Sequence, residues 1–233
     1  MELKNKIFVI QNLIRSENFS TAIVNCKKLL KKYPENSYTY NLCGLALQGE
    51  KKFSNSIEYF SKALHYDSEN LAAMNNLANS YKTLYYYDKA QDLYLKIIKK
   101  DPLNLKTLNN YANLKRTWND FDGAIDLYLK ATKINPEEIN ILFSLADSYQ
   151  SIGDFKKSRE VINRILKIDP NKTSAHKLIS GFTNYNDGNK EHLDTMKNLS
   201  SKSDLTDNQK IDLFFALGKT HEDLKDFDGS FQY

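Results

Sequence analysis

Residues 74–102 read MNNLANSYKTLYYYDKAQDLYLKIIKKDP, and residues 108–136 read LNNYANLKRTWNDFDGAIDLYLKATKINP. The second stretch repeats the order of apolar, small and aromatic residues of the first, 34 positions later. All four prolines of the chain share one position of this period: Pro34, Pro102, Pro136 and Pro170. A fixed period of this length predicts a chain built from repeated structural units, each of which packs on its neighbours.

Each unit of the period contains apolar residues at helical spacing, and no insertion is needed to align the units 3–36, 37–70, 71–104, 105–138 and 139–172. Position 8 needs a small residue for close packing of two helices, and it holds Ile10, Gly44, Ala78, Ala112 and Ala146. Position 24 is mostly bulky, and it holds Cys26, Phe60, Tyr94, Tyr128 and Ile162. The pattern predicts two packed helices in every unit, with Cys26 and Cys43 as buried apolar side chains.

These columns resemble the tetratricopeptide repeat (TPR), a pair of antiparallel helices. The resemblance implies an all-α solenoid of stacked helix pairs wound into a right-handed superhelix, with the first helix of each pair on the concave side. Ile10 departs from the small residue expected at position 8. Residues 173–210 are predicted as a degenerate TPR-like pair and linker, with helices at 173–184 and 190–199 and with Thr206 as an N-cap.

A last, truncated repeat is predicted from 211 to 233, where the sequence stops inside a helix, and we therefore expect a fragment of a longer protein. Residues 213–231, LFFALGKTHEDLKDFDGSF, resemble the last repeat of bacterial TPR-containing sulfotransferases. That resemblance implies an alternative, in which the chain is the non-catalytic repeat region of an enzyme that uses the sulfate donor PAPS. No residue of such a catalytic domain is present, so no catalytic residue, metal ligand or cofactor is predicted for this chain.

Composition favours a binding protein of the cytoplasm. Basic and acidic side chains number 33 and 29, and a net charge of +4 does not require nucleic acid or an anionic membrane as a partner. Residues 1–13 contain no uninterrupted apolar run of signal-peptide length, and no stretch approaches membrane-spanning length, so we expect a cytoplasmic location. The four histidines are scattered without metal-ligand spacing. RNA binding is disfavoured because the related RNA-reading repeats favour a longer period.

In the TPR family the first helices line a groove that binds peptides. The residues at groove positions here are Asn41, Asn75, Asn79, Lys82, Lys106, Asn109, Asn113 and Arg116. An asparagine amide both donates and accepts hydrogen bonds, so a ladder of them can pair with a peptide backbone, as in the similar groove of protein O-GlcNAc transferase. The lysines and the arginine would attract acidic groups. The alternative is that the asparagines serve the packing of the helices.

The predicted partner is therefore a protein or peptide in the concave groove. Docking of chaperone C-termini is disfavoured, because the cations of the carboxylate clamp of other TPR proteins are replaced here by Asn75, Asn140 and Ser144. Self-association through the uncapped last helix is a further expectation.

Overall fold

The period of the sequence is also the period of the helices. The structure, a computed structural model, describes residues 2–230, and within them the chain forms α-helices and one 3-10 turn but no β-strand. The prediction of an all-α repeat fold is confirmed. Two compact units contain the residues up to Trp118 and those from Asn119 onwards.

The helices of the first unit are α1 (Glu2–Arg15), α2 (Phe19–Lys32), α3 (Ser37–Gly49), α4 (Phe53–Tyr66), α5 (Leu71–Thr83), α6 (Tyr87–Lys100) and α7 (Leu105–Thr117). Those of the second unit are α8 (Phe121–Ile134), α9 (Ile139–Ser151), α10 (Phe155–Ile168), α11 (Thr173–Ser180), α12 (Lys190–Ser200), α13 (Asp207–Asp223) and α14 (Phe227–Ser230), with the 3-10 turn at Tyr185–Asp187. From α3 to α11, every first helix of a pair begins 34 residues after the previous one.

Asparagines begin the first helices of the first unit. The side chains of Asn36, Asn70 and Asn104 accept hydrogen bonds from the backbone N–H groups three residues later, at 2.8 to 3.0 Å. Such N-caps satisfy donors that the helix leaves unpaired, and each contributes about 1 kcal/mol. Part of the asparagine content of the chain is thereby explained by helix initiation.

Complementary side-chain sizes hold each pair of the first unit together. A β-carbon on Gly44 would lie 2.4 Å from the ring of Phe60, so the large ring of α4 requires the glycine of α3. In the first pair the sizes are exchanged, because α1 supplies the larger Ile10 and α2 the smaller Cys26. Both are buried in one cluster. The departure at Ile10 therefore leaves the core filled. Cys43 is buried as well.

Every helix pair other than α11 and α12 turns through a residue with left-handed backbone geometry at one position of the repeat, whereas α11 and α12 are joined through the 3-10 turn and the left-handed Gly188. The φ angle is positive at Glu17, Lys51, Tyr85, Asn119, Gly153 and Lys225, and all of them share one position of the repeat. At Tyr85 the turn is closed by a bond of 2.9 Å from the N–H of Tyr86 to the carbonyl of Tyr81. This six-to-one bond is the Schellman ending of a helix, which favours glycine at the left-handed position.

Two buried clusters belong to the core of the second unit. One joins α9, α10 and α11 around Leu142 and Ile165, and the other joins α12 and α13 around Met196 and Leu217. None of the helices within residues 2–230 combines the length and the apolar character that a membrane span requires.

The helices after residue 172 depart from the predicted bounds. α11 ends at Ser180, not at 184, and the hydroxyls of Ser180 and Thr183 bond to carbonyls of its last turn. α13 begins at Asp207, four residues before the predicted repeat, because Thr206 and Gln209 form a reciprocal capping box. The N-cap predicted at Thr206 is confirmed. The predicted end of the last helix, at 231–233, lies outside the described residues.

Candidate functional site

The predicted peptide-binding residues all lie on α3, α5 and α7, the first helices of their pairs in the first unit. α5 contacts both α3 and α7, so these three helices are neighbours. We call their common surface the A-helix face. The structure divides the predicted residues of this face into a buried pair and an accessible group.

Asn41 and Asn75 are the buried pair, and each is 3% exposed. The Oδ1 atom of Asn41 accepts a bond of 2.9 Å from Nδ2 of Asn76, which follows on the next first helix. The Oδ1 atom of Asn75 accepts a bond of 3.1 Å from Nδ2 of Asn110 in the same way. These two amides therefore join neighbouring helices, in agreement with the structural alternative for this part of the ladder.

Asn79, Asn109 and Asn113 are half-buried and remain on the surface of the A-helix face. The hydroxyl of Tyr94 donates a bond of 2.5 Å to Oδ1 of Asn79. Burial raises the pKa of Tyr94, so this hydroxyl stays a donor at neutral pH. The bond fixes the orientation of the Asn79 amide, and its Nδ2 is not used by any hydrogen bond among the described residues.

Cations accompany the asparagines. Lys82 is half-buried, and desolvation lowers the pKa of its ammonium group. Within residues 2–230, no carboxylate forms an ion pair with it. Lys106 is exposed, and its Nζ lies 3.5 Å from Oδ1 of Asn76. Arg116 occupies on α7 the position that Lys82 has on α5 and is half-buried.

A hydroxyl–amide network beneath this face was not predicted from the sequence. Nε2 of Gln48 donates to Oγ of Ser80 at 2.7 Å and to the carbonyl of Asn76 at 2.9 Å. Ser80 in turn shares a bond of 2.7 Å with Ser56. The signal for this network in the sequence was Ser56, a serine at the position of α4 where alanine is common. The network satisfies buried polar groups and holds α3, α4 and α5 together.

A different polar cluster lies in the second unit, where two histidines meet. Nδ1 of His176 lies 2.9 Å from Nε2 of His192, and Nε2 of His176 lies 2.8 Å from the carbonyl of Pro170. Nδ1 of His192 lies 2.7 Å from the hydroxyl of Tyr185. We call these four groups the histidine relay. The sequence did not predict it because the two histidines are separated by a turn of irregular length.

The carbonyl of Pro170 determines which nitrogen atoms of the relay carry a proton. A carbonyl only accepts, so Nε2 of His176 carries a proton and its Nδ1 is the acceptor for the N–H of His192. Nδ1 of His192 then accepts from Tyr185. Both imidazoles are neutral in this arrangement. Burial lowers the pKa of both, and that of His192 falls to about 4.

The relay borders a cavity of about 420 Å³ that is also lined by Asn189, Glu191 and Thr195. In the part of the chain that the structure describes, no three His, Cys, Asp or Glu side chains are grouped closely enough to hold a metal ion. The relay thus satisfies its own polar atoms through hydrogen bonds, and its chemistry is that of a neutral pair in which His176 is buried and His192 half-buried.

Comparison with known sequence families agrees with this architecture. Residues 4–111 match the family model described as the N-terminal TPR repeats region of Psidin. Residues 119–180 match a second model, described as a tetratricopeptide repeat. Both stretches therefore consist of tetratricopeptide repeats, as the sequence predicted. No curated protein sequence matches the chain significantly.

Solved structures with the same fold cover most of the chain at low identity. The PilF protein of Pseudomonas aeruginosa has a TM-score of 0.73 at 15% identity, over 90% of this chain and 95% of that one. A tetratricopeptide repeat protein from Parabacteroides merdae has a TM-score of 0.67 at 15% identity, over 98% and 89%. MamA from Desulfovibrio magneticus RS-1 has a TM-score of 0.64 at 15% identity, over 73% and 96%. This likeness concerns the fold alone.

Proposed function

We propose that the chain is a protein-interaction scaffold that binds an extended, acidic peptide on the A-helix face of its first unit. The binding group is the accessible set of predicted residues: Asn79, Lys82, Lys106, Asn109, Asn113 and Arg116. Asn41 and Asn75 belong to the layer beneath them. No residue of this face forms a nucleophile–base pair, so the proposal is binding and not catalysis.

The state of Lys82 carries the proposal. A half-buried ammonium group without an ion-pair partner among the described residues is costly, because its desolvation is not offset. Such a group is stabilised when a partner brings a carboxylate to it, and perturbed cations of this kind concentrate at functional sites. Asn79 precedes Lys82 by three residues, so both side chains lie on one side of α5.

The amide of Asn79 supplies the second part of the recognition. Tyr94 holds its Oδ1 atom, so its Nδ2 is the donor that remains for a peptide carbonyl. A donor fixed in orientation binds a main chain without regard to side chains, whereas Lys82, Lys106 and Arg116 select for acidic residues. The expected ligand is therefore an extended segment rich in aspartate or glutamate.

Selection from a random peptide library tests this function. Peptides selected by the wild-type protein should be enriched in acidic residues, and the best of them should bind Lys82→Gln at least about tenfold more weakly. Asn79→Asp should also weaken binding, although its carboxylate can still accept from Tyr94. Lys96→Gln, a charge change on the exposed surface of α6, is the matched control and should bind normally.

Selected peptides without acidic enrichment, or equal affinity for Lys82→Gln and wild type, would contradict the proposal. The alternative of a sulfotransferase repeat region stays a prediction from the resemblance of residues 213–231. Its test is whether the parent reading frame continues into a strand, a phosphate-binding loop and a helix.

A further inference from the structure

The outer side of the first helix pair is open, whereas the corresponding side of the next two pairs is covered. Val9 of α1 is 52% exposed, but Cys43 and Leu77, at the same position of the repeat on α3 and α5, are buried. Asn5 is also exposed, and its counterpart Thr39 is buried. In the later pairs the second helix of the preceding pair packs on this side, α2 on α3 and α4 on α5. Within residues 2–230, α1 has no such covering helix.

The open side forms a cavity of about 320 Å³ between α1 and α2, which we call the N-terminal groove. Its floor is apolar and consists of Val9, Ile10 and Leu29. Asn25 forms part of its wall, and the counterpart of Asn25 in the second pair is Tyr59, whose ring packs on the buried cluster that includes Ile10 and Leu29. The repeat thus provides its own example of what fills such a space, namely a helix with large apolar side chains.

Lysines surround the N-terminal groove. Lys6, Lys28 and Lys32 line it, and all three are exposed. Glu2 is the acidic residue of this rim, and its carboxylate bonds to Lys6 and Lys32 at 2.7 and 2.8 Å. Among the described residues, no carboxylate forms an ion pair with Lys28. Residues 2–32 contain seven basic and two acidic side chains, although the whole chain has a net charge of only +4. The positive charge of the chain is therefore concentrated around this groove.

We propose that the N-terminal groove is a second docking site, separate from the A-helix face, for an amphipathic helix of another protein that carries acidic residues beside its apolar stripe. The large apolar side chains of this helix enter between α1 and α2 and contact Val9, Ile10 and Leu29. Its carboxylates pair with Lys28 and with the surplus positive charge of the rim. The docked helix occupies on α1 the place that α2 occupies on α3.

A second copy of the chain and an anionic membrane fit the groove less well. Two copies that meet through this groove in a symmetric dimer would place lysines against lysines. A bilayer surface would contact Phe8 and Val9, which are 58% and 52% exposed. It would not reach the bottom of the groove, where Ile10 and Leu29 are 1% and 3% exposed. A row of helix side chains can enter this depth, so the geometry favours a helix.

Synthetic helical peptides test the proposal, with binding measured by the anisotropy of a fluorescent label on the peptide. A peptide with leucine and phenylalanine at helical spacing, flanked by glutamates, should bind, and salt should weaken it. The same stripe flanked by lysines, and a peptide with the first composition in scrambled order, should bind at least about tenfold more weakly. Equal binding of either control peptide would overturn the proposal.

Val9→Glu is the decisive variant, because it places a carboxylate on the floor of the groove at a side chain that is exposed enough for the fold to tolerate the change. Affinity for the glutamate-flanked peptide should fall at least about tenfold. Val24→Glu makes the same change at a valine of α2 that is 50% exposed and does not line the groove. This matched control should bind like wild type. Undiminished binding by Val9→Glu, or an equal loss in Val24→Glu, would refute the proposal.

The charges of the rim are tested in the same assay. Lys28→Gln should weaken binding of the glutamate-flanked peptide at least about threefold, whereas Lys31→Gln, at an exposed lysine of the same helix outside the groove, should not. Lys82→Gln should leave this binding unchanged, which separates the groove from the A-helix face. Phosphatidylglycerol vesicles that bind the chain as tightly as the peptide does, or dimers in sedimentation that Val9→Glu abolishes, would overturn the proposal in favour of a membrane or a second copy.

Discussion

The first unit and the residues from 173 to 230 are both made of helix pairs, but different chemistry holds them together. In the first unit, side chains of complementary size and neutral amides join the helices, as in Gly44 with Phe60 and Asn41 with Asn76. In the C-terminal region, a relay of titratable imidazoles joins α11, α12 and the 3-10 turn. The first kind of contact is indifferent to pH, whereas the second depends on it.

The difference follows from the regularity of the sequence. Where helix pairs repeat without insertion, one register brings the same positions together in each pair, and a few residue types suffice. After Lys172, a short α11 and an irregular turn leave polar groups near the core. His176 and His192 satisfy one another and the carbonyl of Pro170 there. The following variants test this comparison.

Exchange of the small and the large side chain of the second helix pair should have the largest effect on the free energy of unfolding. Gly44→Ile should destabilise the protein by about 3 kcal/mol, because the new side chain meets the ring of Phe60. Phe60→Cys alone should cost about 3 kcal/mol by leaving a cavity. The double variant reproduces the pair Ile10 and Cys26 of the first repeat. It should therefore be no less stable than either single variant in urea denaturation.

A double variant whose loss equals the sum of the two single losses would show that the sizes do not compensate, and that the two pairs are not equivalent. The expected coupling of at least about 3 kcal/mol is at the upper end of the range for residues in direct contact.

The fold was predictable where local pattern and packing coincide. The columns of Gly44 and Phe60 are buried as expected, and the asparagine N-caps and Thr206 follow from local hydrogen bonding. The division of the asparagines was not predictable, because position in the repeat does not say whether an amide faces solvent or the next helix. Asn75 and Asn79 stand four residues apart on one helix, yet Asn75 is buried and Asn79 is accessible.

The histidine relay was not predicted from the sequence, for a different physical reason. Its members come from α11, the 3-10 turn and α12, and only the tertiary structure brings them together. The left-handed turns were also hidden, since Gly153 and Asn119 have residue types typical of that geometry but Tyr85, Lys51 and Glu17 do not. In both cases the backbone path, and not residue type, decides the outcome.

Acid should weaken the C-terminal region more than the first unit. The folded pKa of His192 is about 4 and its ordinary value is 6.5, so the unfolded state binds more protons between these pH values. The stability contributed by the neutral imidazole is complete above pH 6.5 and is lost as the pH falls towards 4. The loss should be about 2 kcal/mol after allowance for partial exposure. Asp169 moderates the shift at His176, and Glu191 lies beside the relay.

Hydrogen exchange resolved by segment measures this difference. Protection in α11 and α12 should decrease between pH 6.5 and 4 more than protection in α3 and α5, after correction for the intrinsic exchange rate. His192→Gln should be less stable at neutral pH but should decline less on acidification. His65→Gln, at an exposed histidine of α4, is the control and should keep the wild-type pH dependence. Equal acid sensitivity in His192→Gln and wild type would exclude the relay as the cause.

The turns between paired helices should show the smallest effect, and they are the feature that the two regions share. Lys51 in the first unit and Lys225 in the C-terminal region occupy one position of the repeat, with φ angles of +59° and +57°. Gly153, which precedes the C-terminal region, has the same position with a φ angle of +79°. Lys51→Gly should stabilise the protein by about 0.5 kcal/mol, because relief of the left-handed strain exceeds the added entropy of the unfolded chain. Gly153→Ala should destabilise it by about 1 kcal/mol, and no neighbour would clash with the new methyl group.

Thermal denaturation of both variants therefore isolates backbone geometry from packing. If Lys51→Gly lowers the melting temperature, the aliphatic chain of Lys51 must stabilise its turn by more than the strain that it imposes. The same reasoning would then apply to Tyr85, at the same position of the repeat. A stabilising Lys51→Gly, together with a destabilising Gly153→Ala, instead indicates that the turn geometry is imposed by the helix pair. Residue type at this position is then free to vary.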